Sequence, residues 1–342
     1  MKVARLHGVG DVRLAEEPDP TPAAGDSLVR VTAVGLCGSD LHWFTDGGIG
    51  DAGLTNPLVL GHEMAGVIVG GPRDGQRVAV DPADPCGVCE QCLEGNRNLC
   101  PTVRFAGHGS TDGGLRELMA WPSHLLHPVP DSLSAADTAV LEPLGVALHA
   151  MDLGKPRLGA TIVVVGCGPI GLCLVQLARA AGAARVVAVE PLAHRRDAAR
   201  SLGADEALDP LDPEIGSLLD AATSGRGADL VVEAAGTDAA VDLAMRAARP
   251  GTRVVLAGIP SDDATTFPAS VARRKGLTIM MSRRMKEMYP RAIGLVGRGL
   301  VDVASLVSHT FPLAEAAEAF RVADARTGLK VVVEPAAAEG GA

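Results

Sequence analysis

The chain is poor in aromatic residues, with two Trp, one Tyr and five Phe in 342 positions. Surfaces that stack nucleobases or sugar rings on aromatic planes are therefore poorly supplied. Basic charge is outnumbered, with 31 Lys and Arg against 41 Asp and Glu and a formal net charge of −10. Nothing in that balance draws the protein to nucleic acid or to an anionic membrane surface, and no local basic patch offsets it. A long unbroken apolar run is missing too. The most apolar stretch, residues 162–178, contains Gly166, Gly168, Pro169, Gly171 and Gln176, and reads as strand, tight turn and buried helix instead of a membrane span. Arg5, His7 and Asp11 stand where a secretory signal needs an apolar core, so no signal peptide is expected and the expected location is the cytoplasm.

Hydrophobic residues make up 47% and charged residues 21%, ordinary proportions for a globular protein, and the length suits about two domains. Residues 1 to about 147 read as short strands between Gly, Pro and Asp turns: 27–34, 66–69, 77–80 and 115–120. A helical pattern near 139–153 opens a different rhythm. Strands at 162–165, 186–190, 230–233, 253–257 and 277–281 alternate with helices at 169–181, 193–202 and 239–248. This alternation predicts an α/β fold, a parallel sheet covered by helices on both faces. The remainder, ending in a strand over 329–333, is expected to return to the first domain.

Residues 161–171 are a buried strand followed by Gly166-x-Gly168-x-x-Gly171 at the start of a helix. In that context the first glycine makes the turn, the second admits a pyrophosphate to the backbone and the third lets helix and strand pack closely. Glu190, at the end of the next strand and 19 residues past Gly171, would accept hydrogen bonds from an adenosine ribose and repel a 2′-phosphate. NAD is therefore expected over NADP, although Arg195 and Arg196 are of the type that binds a 2′-phosphate.

Of seven cysteines, Cys86, Cys89, Cys92 and Cys100 fall within 15 residues. Four thiolates at this spacing can close a tetrahedral zinc site, which is structural when all four positions are filled. An iron–sulfur cluster or a redox pair are the alternatives. A second set is scattered: Cys37-Gly-Ser39-Asp40-Leu-His42 and Gly61-His62-Glu63. Cys37 and His62 with a carboxylate would leave a zinc ion one open position, as catalysis requires. Asp40 would accept the other N–H of His62 and fix its tautomer.

Taken in order, these motifs, the segment Glu142-Pro-Leu-Gly-Val-Ala-Leu-His149 and the glycine turn resemble the zinc-dependent medium-chain alcohol dehydrogenases. The segment from Glu142 is similar to their polyol branch, the sorbitol, xylitol and L-idonate dehydrogenases. The resemblance implies two domains. A mostly β GroES-like catalytic domain would span 1–147 and 285–342, with a structural zinc lobe at about 84–101. A Rossmann domain with a doubly wound parallel sheet would span 148–284. Two zinc ions per chain are implied, one catalytic and one structural. Cys37 and His62 become ligands of the catalytic zinc. Glu63 is a direct ligand in sorbitol-type relatives and not in others, and Glu142 either ligates zinc or holds its water. Ser39 and His42 match a proton relay. Trp43 falls where sorbitol dehydrogenases place a tyrosine against substrate. Arg284 matches a substrate-contacting arginine, with Arg283 the alternative, and Met285 replaces its aromatic partner. Ile170, Glu190, Arg195, Ala257, Gly258 and Ile259 match positions that line NAD.

The implied reaction is oxidation of a secondary alcohol of a polyol or sugar derivative to the ketone, with hydride passing to NAD. A sugar acid, threonine, butanediol or an aminocyclitol are alternative substrates, and a zinc-stabilised dinucleotide-binding protein is the non-catalytic alternative. The implied assembly is a homotetramer or dimer joined edge to edge through the cofactor domains.

Overall fold

The computed structural model describes residues 1–50, 52–260 and 264–335. Residues 336–342, the end of the expected catalytic domain, lie outside them. Two compact units emerge: Met1–Glu142 with Tyr289–Gly297 and Val303–Ala342, and Pro143–Met288 with Arg298–Asp302.

The first unit is built on a seven-stranded sheet. Its path runs Leu126–Pro128, Arg77–Val80, Glu63–Val69, Asp26–Gly35, Lys330–Glu334 and Val307–Pro312, with Leu118–Pro122 also paired to Asp26–Gly35. The strand Asp26–Gly35 shows the period of two that organises the sheet, with Val29, Val31 and Ala33 buried while Arg30 and Thr32 are half-buried. On one face, Leu6, Leu60, Met64, Met119, Trp121 and Phe320 are all at most 1% exposed. Each such side chain contributes about 1.5–3 kcal/mol of hydrophobic stabilisation. The C-terminal strand Lys330–Glu334 joins the sheet as expected, pairing antiparallel with Val34 and Gly35.

One expected strand is displaced. It runs over Leu118–Pro122 rather than 115–120, because the N–H groups of Gly113, Gly114 and Leu115 are taken by the carbonyls of Val59, Gly61 and Leu60 at 2.7–3.1 Å. A helix over Gly38–Asp46 follows the strand Asp26–Gly35, burying Asp40, Trp43 and Phe44 at helical spacing.

The second unit holds six parallel strands in the order Glu206–Leu208, Arg185–Val189, Thr161–Val165, Ala228–Glu233, Ala248–Leu256, Thr278–Met281. The near-continuous Val runs follow from burial on both faces. Strand order reverses between Thr161–Val165 and Ala228–Glu233. Ligands of open parallel sheets bind at such a switch point, beyond the carboxyl ends of the strands. Among the described residues no helix is long and apolar enough to cross a membrane.

Candidate catalytic and metal centres

The carboxyl end of the strand Asp26–Gly35 runs through Leu36 into Cys37, the N-cap of the helix Gly38–Asp46. On the neighbouring strand, His62 and Glu63 stand at the start of Glu63–Val69, with Glu63 directly opposite Gly35. The pairing explains the glycine. A Cβ at Gly35 would collide with the Glu63 carboxylate, so only glycine leaves room for that acid. Donor atoms of Cys37, His62 and Glu63 consequently all lie within 4.8 Å of one another. Cys37 is half-buried, His62 is 6% exposed and Glu63 is fully buried.

Asp40 orders this group from one turn into the helix. Its Oδ1 lies 3.4 Å from His62 Nδ1 and accepts the N–H of Gly61 at 3.2 Å, and its Oδ2 accepts the N–H of Cys37 at 3.0 Å. Burial alone would push the Asp40 carboxyl up, but the charge and hydrogen bond of His62 and those two N–H groups hold it below its usual range. The reciprocal holds for His62. Burial opposes its charge, yet Asp40 and Cys37 raise its pKa well above the ordinary value. With Nδ1 committed to Asp40, Nε2 is the nitrogen available beside Cys37, the arrangement of a histidine ligand oriented from behind. A thiol, an imidazole and a carboxylate converging at this range fit a zinc ion and leave a fourth position for substrate or water.

Ser39 Oγ lies 3.5 Å from His62 Nε2, and His42 Nδ1 pairs with Asp46 Oδ2 at 2.9 Å on the outer side of the same helix. Glu142, the second residue of the helix Leu141–Gly154, stands outside the 4.8 Å set. It is 5% exposed, and burial pushes its carboxyl up to about 7 even though His62 and Lys330 pull it down.

The structure places Trp43 within the helix Gly38–Asp46. Its indole is 1% exposed, on the buried face of the helix with Asp40 and Phe44, and His108 packs edge-on against it at 5.4 Å. Phe105 in turn lies 5.4 Å from the His62 ring and 6.4 Å from His108. Half-buried Phe105 therefore borders His62, with half-buried His108 between it and Trp43. Sequence reasoning missed Phe105 and His108. The one signal available was the scarcity of aromatics, which makes any phenylalanine just beyond the cysteine cluster worth placing.

Lys330 was missed as well. It is 2% exposed, and its ammonium donates to both oxygens of Glu63 at 2.7 Å and to Leu36 O at 2.9 Å. A lone lysine opening the apolar run Val331-Val-Val333 was the legible sign, since a cation in a buried strand requires a partner. Removing one member of such a buried pair costs about 3–5 kcal/mol.

The thiols of Cys86, Cys89, Cys92 and Cys100 also lie within 4.8 Å of one another. Between residues 86 and 100 only Asn98 and Cys100 are buried, while Val88 and Leu93 are 77% and 76% exposed. The lobe thus has no core to hold four thiols together, which fits a metal ion in that role. Sulfur atoms accept backbone N–H groups as thiolates do: Cys89 N to Cys86 Sγ and Cys86 N to Cys100 Sγ, both 3.4 Å. The N–H groups of Val88 and Cys89 lower the Cys86 thiol to about 6, whereas burial among its neighbours raises Cys92 to about 12. Cys167 and Cys173 are buried in the second unit.

In that unit the first glycine of the turn, Gly166, adopts φ +92°, and a Cβ at Gly171 would strike the Gly166 carbonyl. Gly168 caps the helix Pro169–Ala180, whose N-terminal N–H groups suit a pyrophosphate. Glu190 is pinned at the turn, with Oε2 accepting Cys167 N at 2.7 Å and Oε1 accepting Leu192 N at 3.1 Å. The two arginines diverge. A Cβ at Gly168 would stand 3.9 Å from Arg195 Nη1, whereas Arg196 donates to Glu190 O and Pro191 O at 2.7 and 2.6 Å and pairs with Asp209 at 3.1 Å. Ala257 and Gly258 donate to Glu233 O at the carboxyl ends of the adjacent strands Ala248–Leu256 and Ala228–Glu233, Ile259 is 48% exposed and Ile170 is half-buried. Arg284 and Met285 belong to this unit too. Arg284 holds a left-handed backbone at φ +52°, and Met285 is buried with its sulfur against Gly145.

Comparison with known proteins agrees with this geometry. Residues 23–131 match the alcohol dehydrogenase GroES-like domain, and residues 169–298 match the zinc-binding dehydrogenase domain. Sorbitol dehydrogenase of Bacillus subtilis is 34% identical over 345 residues, covering 98% of this chain and 97% of that one. The crystal structure of L-idonate 5-dehydrogenase from Escherichia coli superposes with a TM-score of 0.90 at 27% identity, covering 97% of each chain. A putative zinc-binding dehydrogenase from Sinorhizobium meliloti bound to NADP gives 0.88 at 32%, covering 98% and 99%. A thiol–imidazole–carboxylate group, a four-cysteine lobe and a dinucleotide turn in one chain, matched along nearly its whole length, identify it as a member of the zinc-binding medium-chain alcohol dehydrogenase family.

Proposed function

We propose that the protein is a zinc-dependent dehydrogenase that oxidises a secondary alcohol of a polyol or sugar derivative to the ketone with NAD. The observation that carries this reading is the convergence of Cys37, His62 and Glu63 within 4.8 Å, with Asp40 fixing His62 from behind. Similarity to proteins named sorbitol dehydrogenase and D-xylulose reductase supports the substrate class. Zinc held by these residues would supply Lewis acidity at the alcohol oxygen, and NAD held at the glycine turn would supply the hydride acceptor.

In this reading Cys37, His62 and Glu63 hold the catalytic zinc, and the four cysteines of the lobe hold a second, structural one. Ser39 Oγ receives the alcohol proton and passes it along the helix to His42, whose pairing with Asp46 sets it at the solvent side. Glu142, largely neutral or ionised depending on pH near 7, orients water or a substrate hydroxyl. Glu190 takes the adenosine ribose and Arg195 the pyrophosphate. The engagement of Arg196 by two carbonyls and Asp209 supports NAD over NADP, because that guanidinium is already occupied. The first unit is then the catalytic domain and the second the cofactor domain of a cytoplasmic homo-oligomer.

The test is Cys37→Ser. Turnover of sorbitol or xylitol should fall by at least about a thousandfold, matching the several kcal/mol a metal centre supplies. Zinc content should drop by one ion per chain, while NADH binding by fluorescence is kept. Loss of folding with loss of NADH binding would make Cys37 structural and defeat the reading.

A second reading concerns a carboxylate-bearing substrate, and the likeness to L-idonate 5-dehydrogenase favours it. A guanidinium such as that of Arg284 suits bidentate recognition of a sugar acid. Arg284→Ala should then cost about thirtyfold in kcat/KM on a sugar acid, the scale of one lost charged hydrogen-bond pair, and under fivefold on a neutral polyol. Equal losses on both would reject it.

A further inference from the structure

Glu63, Asp40 and Lys330 are fully buried charged groups beside the candidate metal site, at 0%, 1% and 2% exposure. Lys330 opens the strand Lys330–Glu334, which pairs with the end of the strand leading to Cys37. Its three N–H groups are all used: one on Leu36 O at 2.9 Å, next to Cys37 in the chain, and one on each oxygen of Glu63 at 2.7 Å. A carboxylate oxygen has two lone pairs. The ammonium takes one on each oxygen, draws charge from both and stops the carboxylate from rotating. One lone pair per oxygen remains, and one of the two oxygens lies within 4.8 Å of the donor atoms of Cys37 and His62.

From this we infer that Lys330 is a positioning residue that sets how strongly Glu63 binds the metal, keeping it a weak and exchangeable donor beside Cys37 and His62. The inference rests on the proposal that these three residues hold zinc. Without the ammonium, a zinc ion would be the only counter-charge in contact with a buried carboxylate. Glu63 would then bind zinc more tightly and compete with substrate for the open position.

The experiment follows zinc release to a chelator from the loaded, full-length protein. The release phase of this site is the one missing in Cys37→Ser. Lys330→Met is expected to slow that phase at least tenfold and to shift the visible absorption of the cobalt-substituted protein. Lys330→Arg should restore the rate to within threefold. Lys330→Gln, which still donates to Leu36, replaces methionine if that variant does not fold. In a Glu63→Gln background the Lys330 substitution should change nothing, a coupling that a purely structural lysine would not produce. Release that is unchanged or faster in Lys330→Met, or an equal effect in the Glu63→Gln background, overturns the inference while leaving the zinc site intact. A wild-type protein that holds one zinc, unaffected by Cys37→Ser, overturns the site itself and the inference with it.

Discussion

At the scale of single residues, the site depends on charges buried without water. Asp40 shows how much one carboxylate can hold, since it engages the N–H groups of Cys37 and Gly61 and the imidazole of His62. Asp40→Asn keeps the shape and loses the charge, so the tautomer of His62 is no longer fixed. Zinc affinity at the Cys37 site should fall by about 10–100-fold, measured by competition with a chromogenic chelator. Glu142 gives a pH signature. Its carboxyl is raised from 4.5 to about 7 by burial, so the folded state keeps a proton that the unfolded state has released. Stability attributable to this group is therefore full below pH 4.5, declines as pH rises to about 7, and is level above. The slope is at most about 1.4 kcal/mol per pH unit. Urea melts of the metal-free protein at pH 5 and pH 7.5 should differ less in Glu142→Gln than in the wild type. The converging side chains were legible in the sequence because the four cysteines of the lobe carry spacing and Cys37 and His62 occur together with that lobe and the glycine turn. Lys330, Phe105 and His108 were not, because their roles come from contacts made across long chain separations.

At the scale of elements, the parallel sheet was legible almost strand by strand, since buried Val-rich strands and glycine turns alternate with apolar helices. Two pieces escaped. The strand Glu206–Leu208 is three residues long, too short for any period to register, and the helix Ile215–Ala222 follows it. The helix Gly38–Asp46 escaped for another reason: its sequence is dense in polar ligand-type residues, and only the positions 40, 43 and 44 betray a buried face. The meeting of Asp26–Gly35 with Glu63–Val69 gives a sharp element-level prediction. Gly35→Ala should displace the Glu63 carboxylate, lower thermal stability by about 1–3 kcal/mol as overpacking does, and reduce zinc content at the Cys37 site without touching the lobe. Retained zinc with unchanged melting would show that the pair tolerates a methyl group there. For the lobe, chelation should expose residues 86–100 to proteolysis while the sheet remains folded, because those residues have almost no buried apolar surface.

At the scale of the whole molecule, one sheet edge is unfinished. Thr278–Met281 ends the six-stranded sheet, with Thr278 and Met281 exposed and Ile279 and Met280 half-buried. Among the described residues no further strand pairs with it. A second copy related by two-fold symmetry could add the same strand antiparallel, extending the sheet across a dimer. Placing lysines at Thr278 and Met281 should halve the mass seen by light scattering, and an unchanged mass would move the interface elsewhere. The C-terminal strand has a different reach. Lys330 meets Leu36 and Glu63 across 294 and 267 residues of chain, so all the chain between Glu63 and Lys330 must be made before the carboxylate beside His62 gains its partner. During synthesis Glu63 must wait, exposed to water or to whatever cation is at hand, and the centre of the first sheet closes last. The order in which a metal ion and the strand Lys330–Glu334 reach Glu63 then decides whether that carboxylate first meets the metal or the ammonium.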